Sequence, residues 1–394
     1  MACTLQKNFL LNFQKLYLKK LLIKKLNYDT ILEISTKNLV YNLSIFRSFL
    51  KPKTKIMVMV KAYGYGLGPL GLSQFLEKNE VDYLGVANIL EGVEIRKSGV
   101  QLPIMVMKPE LKSFDLILKH QLSPVLFSIH SLLAYIKAIE EQNQTNQEFV
   151  VNLKIDTGMH RLGFHEDEIE KVIFLIKKHP NIKIESVFSH LAATDEPQHD
   201  DFTRTQIDLF EKLSTKITSQ FTYQITRHLL NSNGIVRFPE AQYDMVRLGI
   251  GLFGFVTDKE IESQLKNTIS LKTKIAQILT IKENETIGYG RNGITSRNTK
   301  IATVPLGYAD GFSRKLGNGN WVMKINGKPA PTIGNVCMDM TMIDVSDINC
   351  NEDDVAVVFD TKEDILKMAN QLDTIPYEVL TSISPRVKRE FTED

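Results

Sequence analysis

A (β/α)8 barrel of the TIM type, followed by a mostly β C-terminal domain, is the fold class this sequence predicts. Three observations carry that reading. Eight short apolar runs alternate with helical patterns between about residues 30 and 260. Several of these runs are almost continuously apolar, as strands buried on both faces have to be. After about residue 265 the helical patterns give way to strand-like runs separated by Gly, Asn and Pro.

In order, the eight runs are 56–60, 83–87, 104–107, 125–127, 149–155, 184–189, 228–231 and 245–250. Segments with helical periodicity and charged faces lie between them, among them 92–98, 130–141, 167–178 and 202–213. Strands and helices alternating in this number point to a closed parallel barrel, which we place at 29–265. From 266 to 394 the strand-like runs are 274–281, 300–305, 322–325, 341–345 and 355–359. Gly317-Asn318-Gly319-Asn320 and Asn326-Gly327 read as turns between them, and one further helix is expected at about 362–371.

Composition narrows the function classes. At 43% apolar and 24% charged, the 394 residues are those of an ordinary globular chain. A net charge of +2, with no RNA- or DNA-binding motif, argues against nucleic acid as a partner. Cys3, Cys337 and Cys350 are odd in number and lack C-x-x-C spacing, which fits reduced thiols in a cytoplasmic setting. No apolar run is long enough to cross a membrane, and no His/Asp cluster has metal-ligand spacing. Residues 1–28 carry six lysines interleaved with leucines and aromatics. They read as a basic extension rather than a secretory leader; a helix lying on a membrane surface is the other reading.

Barrels collect chemistry at the carboxyl ends of their strands, and polar residues stand there in this sequence. Lys61 ends the first run and precedes Tyr63-Gly64-Tyr65-Gly66-Leu67-Gly68. A lysine enclosed by apolar strand residues has a lowered pKa and can condense with a carbonyl cofactor; a strand-capping surface lysine is the plainer alternative. Lys154, Asp156 and Arg161 follow the fifth run, His190 the sixth, Asn231-Ser232 the seventh, and Arg247-Leu248-Gly249-Ile250 the eighth. Loops after the last two strands of a barrel commonly bind phosphate, and a serine hydroxyl with Gly-flanked N–H groups suits that task. Singly, each residue is as easily scaffold as site. The second domain adds Gly288-Tyr289-Gly290-Arg291, Gly307-Tyr308-Ala309-Asp310-Gly311 and Cys337-Met338-Asp339, any one of which alone reads as a hairpin turn.

Taken together and in order, these motifs resemble the alanine racemases, pyridoxal phosphate enzymes of fold type III. The resemblance runs from about Tyr28 to about Phe391. It implies that Lys61 holds pyridoxal 5'-phosphate as a Schiff base and is one catalytic base, and that Tyr289 is the other. In such enzymes the C-terminal domain supplies the second base to the other subunit of a homodimer, so the site is shared. The resemblance sets Arg247 at the pyridine nitrogen and Tyr65, Ser232, Gly249 and Ile250 at the phosphate. Arg161 would touch both the cofactor's phenolic oxygen and the substrate carboxylate, and Lys154 matches a lysine often carbamylated. His190 and Asn231 match outer cofactor contacts, while Tyr308 and Met338 match substrate contacts. The activity implied is interconversion of L-alanine and D-alanine, supplying D-alanine for peptidoglycan in the cytoplasm.

Two departures stand out. The family often has a tyrosine hydroxyl reaching the phosphate from the segment aligned with Ser382-Ile383-Ser384-Pro385-Arg386, and here Pro385 falls at the matching position. Asn233-Gly234 replaces small alanines after the Asn-Ser pair. The first leaves open a racemase for serine or a broader set of amino acids. A decarboxylase of the same fold is disfavoured by Arg247, since that chemistry benefits from a protonated pyridine. Retention of both Lys61 and Tyr289 argues against a catalytically silent regulator.

Overall fold

A computed structural model describes residues 28–141 and 147–393 of the chain. The basic segment read over 1–28 therefore lies, apart from Tyr28, outside the described residues.

Eight parallel strands close into a barrel: Lys55–Met59, Tyr83–Val86, Ile104–Val106, Ser123–Leu126, Phe149–Lys154, Ile182–Phe188, Thr226–His228 and Met245–Leu248. Ile56 pairs with Val246 and Met57 with Arg247, joining the first strand to the last. Tyr83–Val86 and Met245–Leu248 are buried at every position, which is why their apolar runs show no alternation. The surrounding helices are amphipathic. In Ile169–Lys178 the buried positions are Ile169, Val172, Ile173 and Ile176, a single stripe at helical spacing. Asp200–Thr218 places Asp200 and Asp201 in its first turn and Lys216 in its last, matching the helix dipole at both ends.

One element departs from the expected boundary. Ile31–Ser35 lies within the stretch assigned to the barrel but pairs with the second domain. It runs antiparallel to Ile269–Lys274 and parallel to Lys388–Thr392. Its sequence carries the reason. Leu32 and Ile34 are buried while Ile31, Glu33 and Ser35 are not, a period of two that suits a sheet packed on one face. On the other face Glu33 accepts an ion-paired hydrogen bond from Lys272 at 2.5 Å.

The second domain holds a six-stranded sheet and a three-stranded sheet. The expected run 274–281 is two strands, Ile269–Lys274 and Gln277–Ile281, one in each sheet. The chain changes sheets at Ile275 and Ala276, whose N–H groups bond Asp354 and Thr303 respectively. Asn326 and Gly327, both at positive φ, turn Val322–Ile325 into Lys328–Pro331. Two helices follow where one was expected: Lys362–Leu372 and Pro376–Ser382. Proline at the first position of the second is a helix-start signal in the sequence. Among the described residues no helix is long and apolar enough to cross a membrane.

Candidate active site

The carboxyl ends of the barrel strands surround a cavity. Lys61, Tyr65, Lys154, Arg161, His190, Asn231, Ser232, Arg247, Gly249 and Ile250 all line it, with Met59, Met107, Phe188 and Tyr377. Four of these side chains are cationic and none is a carboxylate, so the cavity favours an anion.

Lys61 follows the first barrel strand and opens a tight turn. Ala62, Tyr63, Gly64, Tyr65 and Gly66 all adopt positive φ, between 53° and 85°. For Ala62, Tyr63 and Tyr65 this conformation costs roughly 1–2 kcal/mol each, so neighbours must hold it. Glu91 does so from the barrel side: Oε1 accepts the Ala62 N–H at 2.8 Å and Oε2 the Ala87 N–H at 2.7 Å. Burial first, and then the charge of Arg161, holds the Lys61 amine below its ordinary range. A larger fraction is thereby neutral and nucleophilic.

Ser232 Oγ accepts the N–H groups of Gly249 at 2.9 Å and Gly251 at 3.1 Å. A Cβ at Gly249 would lie 2.8 Å from the Tyr65 hydroxyl. Two hydroxyls and a bare stretch of backbone thus share one concave corner, and burial keeps the Tyr65 hydroxyl protonated. Asn231 opens the helix Ser232–Arg237: its Oδ1 accepts the Gly234 N–H at 2.9 Å and the Thr194 hydroxyl at 2.9 Å. Asn233 is tied to the Thr257 N–H at 3.0 Å.

Arg247 is fully enclosed and tightly held. Nη1 donates to His228 Nδ1 at 2.7 Å; Nη2 donates to the carbonyls of Ser189 at 2.7 Å and Leu229 at 2.8 Å, and to His190 Nδ1 at 3.1 Å. Its plane lies 5.2 Å from the Phe188 ring, on which His228 is also stacked at 4.6 Å. Burial and then Arg247 push both histidines well below their usual pKa, so both are neutral. With Nδ1 accepting, His228 carries its proton on Nε2, 3.1 Å from Ser186 Oγ, which in turn donates to Asn152 Oδ1 at 2.6 Å. Burial and then Arg161 lower Arg247 to about 9, leaving it protonated at neutral pH.

Lys154 ends the fifth barrel strand, and burial followed by Arg161 and Arg247 lowers it to about 8. Arg161 returns to the cavity on a loop ordered by Asp156. One oxygen of that carboxylate accepts the N–H groups of Gly158 at 2.9 Å and His160 at 3.1 Å. Gly163 permits the return, since a Cβ there would meet the Asp156 nitrogen at 2.4 Å.

Tyr289, Tyr308 and Met338 do not line the cavity. They stand exposed on the second domain, Tyr289 at 70%. Tyr289 sits between Gly288 and Gly290, both at positive φ, and its carbonyl accepts from Asn335 Nδ2 at 2.8 Å. Tyr308 and Met338 are on adjoining loops, joined through the Ala309 N–H to the Met338 carbonyl at 2.9 Å. Ile294 and Met340 are exposed as well.

Pro385 is exposed and does not line the cavity; Tyr377, on the helix Pro376–Ser382, does. Its ring lies 6.0 Å from that of Tyr65, and burial, then Asp195, pushes its hydroxyl up to about 12. A tyrosine hydroxyl is therefore present at this corner after all. Sequence reading missed it together with its helix. It also missed His228 and Glu91, which the motifs leave unmarked: His228 is only the first residue of an apolar run, and Glu91 one acid on a charged helix.

The comparisons agree with this geometry. The family model for the alanine racemase N-terminal domain matches residues 34–256, and that for the alanine racemase C-terminal domain matches 268–391. An alanine racemase of Clostridium novyi is 35% identical over 376 residues, covering 92% of this chain and 95% of that relative. A solved alanine racemase of Clostridium difficile 630 superposes with a TM-score of 0.87 at 32% identity, covering 93% of this chain and 97% of that one. The same organism's enzyme in complex with cycloserine gives 0.85 at 30% identity, over 94% of this chain and 98% of that one. With both domain models matched in order and the strand-end residues gathered in one cavity, the chain belongs to the alanine racemase family.

Proposed function

We propose that Lys61 carries pyridoxal 5'-phosphate in this cavity and that Lys61 and Tyr289 are the two bases that interconvert L-alanine and D-alanine. The observation that supports it is the corner shared by Ser232, Gly249 and the Tyr65 hydroxyl, in the same cavity as a desolvated lysine. The hydroxyls of Ser232, Tyr65 and Tyr377 and the Ile250 N–H would hold the phosphate, with the bare backbone of Gly249, whose N–H is given to Ser232 Oγ, leaving room for it. Arg247 would face the pyridine nitrogen. When bound, the cofactor withdraws electrons from the substrate's α-carbon and makes its proton acidic.

This chain's residues then do the rest. Arg247 is immobilised by four acceptors on one side, which leaves Nε and a hydrogen of Nη1 for the cavity. As a permanent donor it cannot take a proton from the ring nitrogen, and it keeps that nitrogen unprotonated. Arg161 binds the substrate carboxylate and fixes the α-carbon over Lys61. The Lys61 amine, already depressed, moves the proton on one face; a tyrosine side chain must move it on the other. Tyr289 stands exposed outside its own chain's cavity, so we assign it to the cavity of a second copy in a homodimer, with Tyr308 and Met338 beside it. The apolar exposure of Ile294 and Met340 fits a surface that is covered in that dimer.

Serine as the main substrate loses its support, because Tyr377 supplies the hydroxyl that Pro385 lacks. The product D-alanine would feed peptidoglycan synthesis, and the free thiols of Cys337 and Cys350 suit the reducing cytoplasm. The test is α-proton exchange by purified protein on L-alanine, D-alanine and L-serine, with and without added pyridoxal phosphate. Absence of exchange on both alanine enantiomers overturns the reading.

A further inference from the structure

Arg389 lies outside the cavity, on the strand Lys388–Thr392, and none of the steps above uses it. Its side chain reaches back over the turn that follows Lys61. Nε donates to the carbonyl of Gly66 at 2.9 Å. Nη1 donates to the carbonyls of Ser384 at 2.5 Å and Val387 at 2.6 Å, and Nη2 to that of Ile383 at 2.6 Å. The guanidinium plane stacks on Tyr63, 5.0 Å from the ring centroid. Burial lowers its pKa, and only the Tyr63 hydroxyl opposes that shift.

A desolvated guanidinium held by carbonyls and a ring face, with no carboxylate beside it among the described residues, is costly unless it organises what it touches. Three of its bonds are local and shape the loop before its own strand. The fourth spans 323 positions and lands on the turn whose two ends are Lys61 and Gly66. The same segment presses on that turn elsewhere: a Cβ at Gly66 would lie 2.0 Å from the Leu380 carbonyl oxygen. The turn is left-handed at Ala62, Tyr63 and Tyr65, and such residues relax toward the right-handed or extended regions when released.

We propose that Arg389 is a positioning residue for the reaction: it clamps the left-handed turn so that the Lys61 amine and the Tyr65 hydroxyl meet the cofactor together. This rests on the proposed role of Lys61. Glu91 grips the start of the turn from the barrel, and Arg389 grips its end from the second domain. Loss of the clamp loosens the turn while leaving the barrel strands intact.

The experiment compares wild type, Arg389→Ala, Arg389→Lys and Tyr63→Leu, all prepared free of cofactor. Hydrogen exchange is followed by mass spectrometry, and pyridoxal phosphate affinity by absorbance titration. In Arg389→Ala the amides of residues 61–68 should exchange on the order of tenfold faster, with strand Phe149–Lys154 unchanged. The cofactor Kd should rise by a similar factor, methylguanidine should recover part of it, and lysine should rescue only partly. Tyr63→Leu should shift both readouts the same way by less, and it decides the matter if Arg389→Ala does not fold. Exchange that rises evenly through the barrel, or a turn that stays protected, overturns the proposal. If wild type itself binds no pyridoxal phosphate, the reading of Lys61 fails instead, whatever the exchange shows.

Discussion

Arg247 and His228 are joined by a 2.7 Å hydrogen bond inside the barrel, from Nη1 to Nδ1. The bond fixes the histidine's tautomer and orients the guanidinium toward the cavity. His228→Leu removes the acceptor and leaves an enclosed cationic donor unsatisfied. The expected loss is about 1–3 kcal/mol of stability, read as a shift in denaturant midpoint. Racemase activity should fall alongside it; an unchanged midpoint would mean that Arg247 has found another acceptor.

The two histidines that accept from Arg247 predict an acid limb. His190 and His228 are held neutral, with folded pKa values well below the ordinary one. Below about pH 6.5 the unfolded chain binds protons that the folded chain refuses. Stability contributed by neutral burial is therefore full above that pH and is lost as the pH falls through it. Thermal midpoints measured from pH 8 to pH 5 should decline, and His228→Leu should flatten the decline.

Lys61→Ala should abolish the cofactor absorbance band. Tyr289→Phe should keep the band and lose proton exchange from L-alanine by about 10²–10⁴-fold. Mixing the two variants tests the shared site. A heterodimer then holds one intact site, so randomly reassorted dimers should recover roughly one quarter of wild-type activity. No recovery after subunit exchange would place Tyr289 in its own chain's site.

At the phosphate corner, Tyr377→Phe should weaken pyridoxal phosphate binding by roughly tenfold or more, the worth of one hydrogen bond to a charged group. Pro385→Ala should leave it unchanged. Gly249→Ala should weaken it as well, because the new methyl group meets the Tyr65 hydroxyl at 2.8 Å. Equal effects at 377 and 385 would reverse the assignment.

Most barrel strands were readable because burial on both faces leaves a nearly continuous apolar run with a polar residue just past it; Thr226–His228 was not, since Thr226 and Arg227 are only half-buried and the expected run 228–231 meets that strand only at His228. Ile31–Ser35 was misplaced because its neighbours in sequence are barrel elements, while its hydrogen-bond partners lie far along the chain. Its alternating burial was the signal that set it apart. Lys61, Ser232 and Arg247 stood out through their motifs. Tyr377 did not, since short helices such as Pro376–Ser382 carry little periodicity and no motif marks it. His228 acts through Arg247, and Arg389 through its bond to Gly66, partners that only the fold brings near, and nothing in their own surroundings in sequence announces them.

The placement of Ile31–Ser35 between Ile269–Lys274 and Lys388–Thr392 bears on how the protein is made. The Thr392 side chain bonds the Ile34 carbonyl across 358 positions. Contacts of such range close late, because the loop entropy falls due before they form. During synthesis the barrel strands emerge and can pair while Leu32 and Ile34 still wait for a sheet. Emergence of the segment 376–392, rather than barrel closure, is then the event that brings Arg389 and Tyr377 to the lysine turn. A ribosome-bound chain stalled before residue 376 would have a barrel and no finished site.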